Sequence, residues 1–294
     1  MKGLIRWFFF RSRGDSPFKL LLIHLALIVA CLIAIYPVAR VVSISLRPGD
    51  RLLSTDLALI PKDATWSNYT QLLASKDFFL WVWNSLTVTV SVSIIGVILA
   101  ATSAYAFSRW KFPGRAPALV LLLSTQMVPA IMMLIPLYLM FVGITRQFGI
   151  PLVGSYLGLI VAQSAGGVPF SIWILKGYYD TIPVDLEEAA KIDGAGPLGA
   201  FYRIILPLST PALAIVFLFN FMASWVDYIL PRVILPKPEL FTWPLGLQRL
   251  QGQFQTEWGM FAAASVLVAI PSMALFLYSS KWLISGLTLG SVKG

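Results

Sequence analysis

Residues 188–207 read EAAKIDGAGPLGAFYRIILP, and this polar stretch separates two long apolar ones. The charged side chains at its start cannot lie in hydrocarbon, because an ionised group inside a membrane is costly and needs a partner or water. The 188–207 segment must therefore lie in water or against a soluble partner. Its position between two apolar stretches indicates a docking surface.

The composition indicates an all-α integral membrane protein. Hydrophobic residues make up 58% of the 294 positions and charged residues only 12%, whereas about 25% of residues in soluble domains are charged. Several stretches exceed the roughly 18 apolar residues that mark a spanning helix. The net charge of +9 comes from basic residues at the ends of apolar stretches without a contiguous stripe, which indicates membrane topology and not nucleic-acid binding.

The apolar runs predict six transmembrane helices at about 18–45, 78–108, 116–141, 155–176, 205–230 and 258–284. An even number places both termini on one side. Basic residues precede the first span and crowd the connection after the second, as Arg109, Lys111 and Arg115 do. Because positive charge is enriched on the inner side of membranes, both termini are predicted to be cytoplasmic.

This topology divides the chain into a cytoplasmic segment (1–17), a six-helix domain (18–284) and a cytoplasmic tail (285–294). Within the domain, a loop at about 177–207 is predicted to lie inside. The predicted outside loops lie at about 46–77, 142–154 and 231–257.

A short helix is predicted near the start of the inside loop. Pro183 suits a first helical turn, where its missing N–H costs nothing. Three acidic side chains follow where the helix dipole favours them, namely Asp185, Glu187 and Glu188. Gly194 can take the positive φ that ends a helix, and Gly196-Pro197 opens a second helix that leads into the next span.

The first of these helices is too short to be stable alone. It carries a narrow apolar stripe, Leu186, Ala189, Ala190 and Ile192, so it needs a surface to lie on. One alternative is a helix that lies at the lipid headgroups. The acidic residues argue against that alternative, because the inner leaflet is anionic.

Polar residues inside the predicted spans are candidates for a transport pathway, since such residues face the bundle interior or a wet cavity. Asn220, Ser224 and Asp227 share one face of the fifth span, and Gln126 and Gln163 lie in the third and fourth. Neutral amides and hydroxyls suit an uncharged sugar. The alternative is that they form hydrogen bonds that hold the helices together.

The motif of the 188–207 segment resembles the cytoplasmic loop of permease subunits of binding-protein-dependent ABC importers. The matching residues, with their spacing intact, are Glu188, Ala189, Ala190, Gly194, Ile204, Leu206 and Pro207. The resemblance implies the type I permease fold. It also implies that these seven residues couple the permease to a separate ATPase, in whose cleft the short helix sits.

Further stretches resemble sugar-importer permeases, and the C-terminus is similar to the smaller permease of the maltose type. They are Trp83-Asn84-Ser85, residues 104–109, Phe112-Pro113-Gly114, Lys176-Gly177-Tyr178-Tyr179, Gly286-Leu287-Thr288 and Val292-Lys293-Gly294. The resemblance implies that the tail, Gly290, Ser291, Val292, Lys293 and Gly294, lies at the ATPase interface. It also implies that Gln251, Gly252, Gln253 and Phe254 belong to a loop that enters the binding protein.

The resemblance thus implies a transport subunit, without enzymatic activity, cofactor or metal, in a bacterial cytoplasmic (inner) membrane. Its implied partners are a larger second permease subunit, a homodimer of ATP-binding subunits, an extracytoplasmic sugar-binding protein and the lipid bilayer. Its expected substrate is a di- or oligosaccharide of the maltose, maltodextrin or trehalose kind, and the second permease makes most of the sugar contacts. The chain lacks the GxxxxGK[ST] phosphate loop, so ATP hydrolysis must come from another chain.

Two alternatives are a secondary transporter and a permease for a different small solute. A secondary transporter needs coupling-ion carboxylates near the middle of the membrane. No acidic residue is predicted deep in a span, and Asp227 lies near the end of one.

Overall fold

The computed structural model describes residues 16–48, 60–251 and 256–289, with side chains described as far as residue 282. Helices dominate these residues, and Gln251 and Thr256 form an isolated antiparallel bridge. The helices are α1 (Pro17–Ser45), α2 (Ser67–Ala74), α3 (Lys76–Arg109), α4 (Arg115–Thr125), α5 (Leu134–Phe148), α6 (Tyr156–Tyr179), α7 (Asp185–Ile192), α8 (Pro197–Leu208), α9 (Thr210–Trp225), α10 (Ile229–Ile234), α11 (Trp243–Arg249) and α12 (Trp258–Leu289). Short 3-10 turns cover Ala130–Met133 and Pro238–Leu240.

Within the described residues, five helical segments are long and apolar enough to cross a membrane, and the bent pair α8 and α9 brings the number to six. This agrees with the six predicted spans. The side on which the termini lie stays a prediction.

The third span differs from its prediction as one helix over 116–141. The structure breaks it into α4 and a second piece that starts at Ala130 and runs on through α5 to Phe148. Pro129 explains the break, because it lacks an N–H and disfavours helical backbone at Val128 before it. The segment that qualifies as a span is therefore Ala130–Phe148, which enters the outside loop predicted at 142–154.

The chain forms two compact units. The first, residues 1–74 with 250–267, includes α1 and α2. Asn68 ties them together, because its side-chain amide donates hydrogen bonds to the carbonyl oxygens of Ser45 and Arg47, both at 2.9 Å. Ser45 Oγ lies 2.7 Å from the Tyr69 hydroxyl, so α2 is fixed against the end of α1.

The second unit, residues 75–249 with 268–294, has its core where α3, α6, α8 and α9 meet. Small side chains on α3, such as Ala100 and Ala104, let the helices approach closely. The buried residues of this core are Ala100, Ala101, Ala104, Tyr105, Ile172, Leu175, Tyr179, Ile182, Phe201, Ile205, Ala212 and Val216.

A sharp bend separates α8 from α9. The two helices meet at 76°, and Pro211 cannot supply the N–H that would bond the carbonyl of Pro207. Neighbouring hydroxyls bond carbonyls at the bend: Thr210 Oγ1 donates to Pro207 O at 2.8 Å, and the Tyr178 hydroxyl donates to Leu208 O at 3.2 Å. The bend is therefore a stable corner that directs α8 away from the axis of α9.

Gly158 is expected to be a sensitive position for stability. A Cβ at this residue would lie 1.8 Å from the carbonyl oxygen of Leu152, so Gly158→Ala should destabilise the protein by about 1–3 kcal/mol, as other overpacked sites do. Gly177 on the same helix has nothing within 4 Å of an added Cβ. Gly177→Ala is the matched control and should unfold at or above the wild-type temperature. Equal losses in thermal unfolding of the two purified variants would contradict this packing.

Candidate functional site

The predicted short helix exists as α7, and Gly194 ends it as expected. Gly194 has φ of +84°. Its N–H donates to the carbonyl of Lys191 at 3.0 Å, and that of Ala195 donates to Ala190 O at 2.8 Å. These two bonds form a Schellman motif, which satisfies the last carbonyls of a helix and needs a left-handed residue.

The second predicted helix also exists, as α8, and Pro197 is its first residue. Three motif residues lie further along it: Ile204 and Leu206 are half-buried, and Pro207 is exposed. Ile205, between them, is fully buried in the core. The second half of the motif therefore faces partly into the bundle, next to the corner with α9.

The first half of the motif is on the surface. Glu188, Ala189 and Gly194 are exposed, and Ala190 is half-buried. The predicted apolar stripe does not pack on this chain: Leu186 is 43% exposed and Ile192 88%.

Exposed apolar side chains continue onto α8. Leu198 is 70% exposed and Tyr202 is 61% exposed. Ile192 ends α7, so exposed apolar side chains lie on both sides of the α7–α8 turn, and α7 also exposes acidic residues such as Glu188. Exposed apolar side chains next to polar ones are typical of sites where another protein binds, so we call the exposed residues of α7 and α8 a candidate docking surface.

Glu187 attaches α7 to the bundle, whereas the sequence placed it only among the three acidic residues of the first helical turn. It is buried, with 4% exposure. One carboxylate oxygen accepts a hydrogen bond from the Tyr105 hydroxyl at 2.7 Å, and the other pairs with Nε of Arg109. Arg109 Nη2 also donates to the carbonyl of Ile182 at 3.0 Å. A buried pair of this kind leaves a costly unpaired charge when one member is removed.

A second, more exposed network joins the ends of α3 and α6. The Asp180 carboxylate accepts from Ser108 Oγ at 2.7 Å and from Lys176 Nζ at 2.5 Å. Partial burial raises the pKa of Asp180, but these two hydrogen bonds and the charges of Lys176 and Arg115 outweigh it and hold that pKa below its usual value. Asp180 is therefore a carboxylate at neutral pH.

The predicted pathway residues meet around one cavity of about 370 Å³ in the second unit. It is lined by Val92, Gln126, Ala130, Ala162, Gln163, Gly166, Gly167, Phe170, Ser171, Phe219, Asn220, Ala223, Ser224, Asp227 and Leu230. Gln126 reaches it because the break after α4 brings its amide within 3.0 Å of the carbonyl of Gly166. All five polar residues that were predicted from the sequence as pathway candidates therefore line this cavity.

Hydrogen bonds link these polar side chains. Ser224 Oγ donates to Gln163 Oε1 at 2.7 Å, and Gln163 Nε2 donates to Asp227 Oδ2 at 2.8 Å. Asn220 donates to Ser171 Oγ at 3.0 Å. Asn220 and Ser224 line the cavity but are largely buried, and their hydrogen bonds also join neighbouring helices. The Gln163 and Asp227 side chains are half-buried at the cavity.

Some predicted site residues lie outside the described residues. They are Gly252, Gln253 and Phe254 of the predicted binding-protein loop, and Gly290, Ser291, Val292, Lys293 and Gly294 of the tail. Gln251 is exposed and forms the bridge with Thr256. Among the described residues, no three His, Cys, Asp or Glu side chains group in a way that could hold a metal ion.

Known proteins resemble this chain along nearly its whole length. The family model described as "Binding-protein-dependent transport system inner membrane component" matches residues 77–286. The chain is 37% identical to the maltose/maltodextrin transport system permease protein MalG of Salmonella typhimurium strain LT2, across 95% of this chain and 98% of that protein. It is 36% identical to the galactooligosaccharides transport system permease protein GanQ of Bacillus subtilis strain 168, across 94% and 96%.

A solved structure supports the same relationship. It is a bacterial ABC transporter involved in the import of the acidic polysaccharide alginate, and it matches with a TM-score of 0.76 at 26% identity, covering 92% of this chain and 98% of that one. The resemblance stated from the 188–207 motif is confirmed, and the ABC importer permease fold with it. This chain is a multi-pass inner-membrane protein and belongs to the family of binding-protein-dependent transport system inner membrane components.

Proposed function

We propose that this chain is the smaller permease subunit of an ATP-driven sugar importer, and that it forms half of the translocation pathway. A second permease subunit supplies the other half, two ATP-binding subunits supply hydrolysis, and an extracytoplasmic binding protein delivers the sugar. The relatives named for maltose and galactooligosaccharide transport support a di- or oligosaccharide substrate. The docking surface on α7 and α8 is the observation that carries the proposal.

The docking surface suits an ATP-binding subunit because it combines two kinds of contact. Ile192 and Leu198 offer apolar area, which stabilises association by roughly 25 cal/mol per Å² buried. Glu188 and the other exposed acids of α7 can pair with basic side chains and fix the orientation of the docked partner. With both termini in the cytoplasm, as the charge distribution predicts, this surface faces the compartment that contains ATP.

Closure of two ATP-binding subunits would displace α7, and the displacement would open and close the translocation pathway that the two permeases form. Gly194 and the corner between α8 and α9 hold the α7–α8 unit at a fixed angle to α9. In this proposal the chain transmits the displacement of α7 to the pathway, and none of its residues needs to contact ATP. The seven motif residues therefore act in coupling, whereas Gln126, Asn220 and Ser224 belong to the pathway.

A secondary transporter is the weaker candidate. Its coupling ion would need a carboxylate free to bind and release it near the middle of the membrane. Asp227 lies just beyond the end of α9, and its carboxylate accepts hydrogen bonds from Gln163 and from the N–H of Ile229 at 3.1 Å. Membership of the binding-protein-dependent family also argues against a secondary transporter.

The test is ATP hydrolysis by the complete complex in proteoliposomes, with the binding protein loaded in turn with maltose, maltodextrins, trehalose and galactooligosaccharides. The proposal predicts that hydrolysis rises several-fold with at least one of these sugars and needs the binding protein. A complex that transports sugar under an ion gradient, without ATP or the binding protein, would contradict it.

A further inference from the structure

The buried contact of α7 is made with α3, which is distant in sequence. Both carboxylate oxygens of Glu187 accept hydrogen bonds from the last turns of α3, one from Tyr105 and one from Arg109. The ring of Tyr105 also packs against Phe201 of α8, with centroids 4.8 Å apart. One turn of α3 thus holds both helices that present the docking surface.

Helix α3 also contacts the cavity, through residues further toward its start. Val92 of α3 lines the cavity, and Thr89 Oγ1 lies 3.1 Å from Ser224 Oγ. Gly96 lies so close to Asn220 that an added Cβ would be 3.2 Å from its amide carbon. A displacement of α3 would therefore reach two polar residues of the pathway directly.

We propose that Glu187, Arg109 and Tyr105 are positioning residues that make α7 and α3 move as one body. An ATP-binding subunit that displaces α7 then moves α3, and α3 moves Asn220 and Ser224 at the cavity. This inference rests on the proposed function. It assigns coupling to a buried cluster behind the docking surface, in addition to the surface itself.

The chemistry of the cluster suits this role better than a role in stability alone. A buried ion pair adds little net stability compared with apolar residues of similar volume. Its hydrogen bonds, however, are directional and geometrically specific. An apolar contact would let an eight-residue helix slide along its neighbour, whereas the fixed donors of Tyr105 and Arg109 hold the Glu187 carboxylate at one place.

The experiment uses Glu187→Gln in the complete complex, because glutamine keeps the shape and removes the charge. We expect the complex to assemble and to keep its basal ATP hydrolysis. Stimulation of hydrolysis by the binding protein, loaded with a sugar that stimulates the wild-type complex, should fall about tenfold, in line with the loss of a buried charged partner. Asp180→Asn neutralises the exposed network at the same end of α3 and is the matched control, with stimulation within about twofold of wild type.

A double-mutant cycle with Arg109→Gln separates positioning from general damage. If the two residues act as a pair, the double variant should be no worse than the worse single variant.

Full stimulation in an assembled Glu187→Gln complex would overturn the inference, as would equal losses of basal and stimulated hydrolysis. If Glu187→Gln prevents assembly, Tyr105→Phe decides: lost stimulation with normal basal hydrolysis supports the inference, and unchanged stimulation overturns it. A wild-type complex without any stimulation would instead contradict the proposed function.

Discussion

Gly194→Val is expected to reduce sugar-stimulated ATP hydrolysis of the assembled importer by about tenfold or more. Gly194 has φ of +84°, and a residue with a Cβ pays about 1–2 kcal/mol in this left-handed region, with more for a β-branched side chain. Each 1.4 kcal/mol is about a factor of ten in an equilibrium. Valine should relieve this strain by opening the turn, and α7 would then lose its angle to α8.

Gly194→Asn is the control for that prediction, because asparagine tolerates the left-handed conformation. Nothing in this chain lies within 4 Å of an added Cβ at Gly194, so the two variants differ in the backbone conformation that they favour. We expect asparagine to keep most of the stimulation in the same proteoliposome assay. Full stimulation in the valine variant would show that the turn does not set the coupling geometry.

Ile192→Glu is expected to prevent stable association with the ATP-binding subunits. Ile192 is 88% exposed in this chain, and burying an unpaired carboxylate at a protein interface costs several kcal/mol. Because the side chain contacts little of its own chain, the variant should still insert and fold. The measurement is the yield of ATP-binding subunit that co-purifies with the permease from detergent-solubilised membranes.

Ile192→Met is the matched control, because it conserves volume and apolar character and should co-purify normally. Normal co-purification of the glutamate variant would place the interface elsewhere on the chain. Loss of the permease itself from the membrane would instead show that Ile192 is needed for folding, contrary to its exposure.

Local sequence rules predicted much of the structure of α7 and α8. Gly194 and Pro197 have strong conformational preferences of their own, so the end of α7 and the start of α8 followed from residue type. The polar residues proposed for the pathway line one cavity. Asn220 and Ser224 meet there because they are four residues apart on one helix and therefore share a face.

Other features depend on contacts that no local pattern encodes. Glu187 and Glu188 are adjacent and chemically identical, and an eight-residue helix offers too little periodicity to show that one is buried and the other exposed. Arg109, which pairs with Glu187 in the structure, was interpreted from the sequence only as a signal of membrane topology. Its burial against Glu187 requires the packing of residues 78 positions apart.

The bounds of the third span were wrong for a different reason. Residues on both sides of Pro129 are apolar, so hydropathy continues across the break although the helix does not. Pro129 is the sequence signal for the interruption, because a proline favours an extended backbone at the residue before it, here Val128.

The central claim, that α7 and α8 dock on an ATP-binding subunit, can be measured by site-specific cross-linking. The chain has one cysteine, Cys31, so a Cys31→Ala background allows a single cysteine to be placed at will. In the active complex, Ile192→Cys should cross-link to the ATP-binding subunit through a short thiol–amine reagent, whereas Phe148→Cys, exposed at the end of α5, should not. An active complex in which Ile192→Cys forms no such cross-link, or in which Phe148→Cys does, would contradict the account.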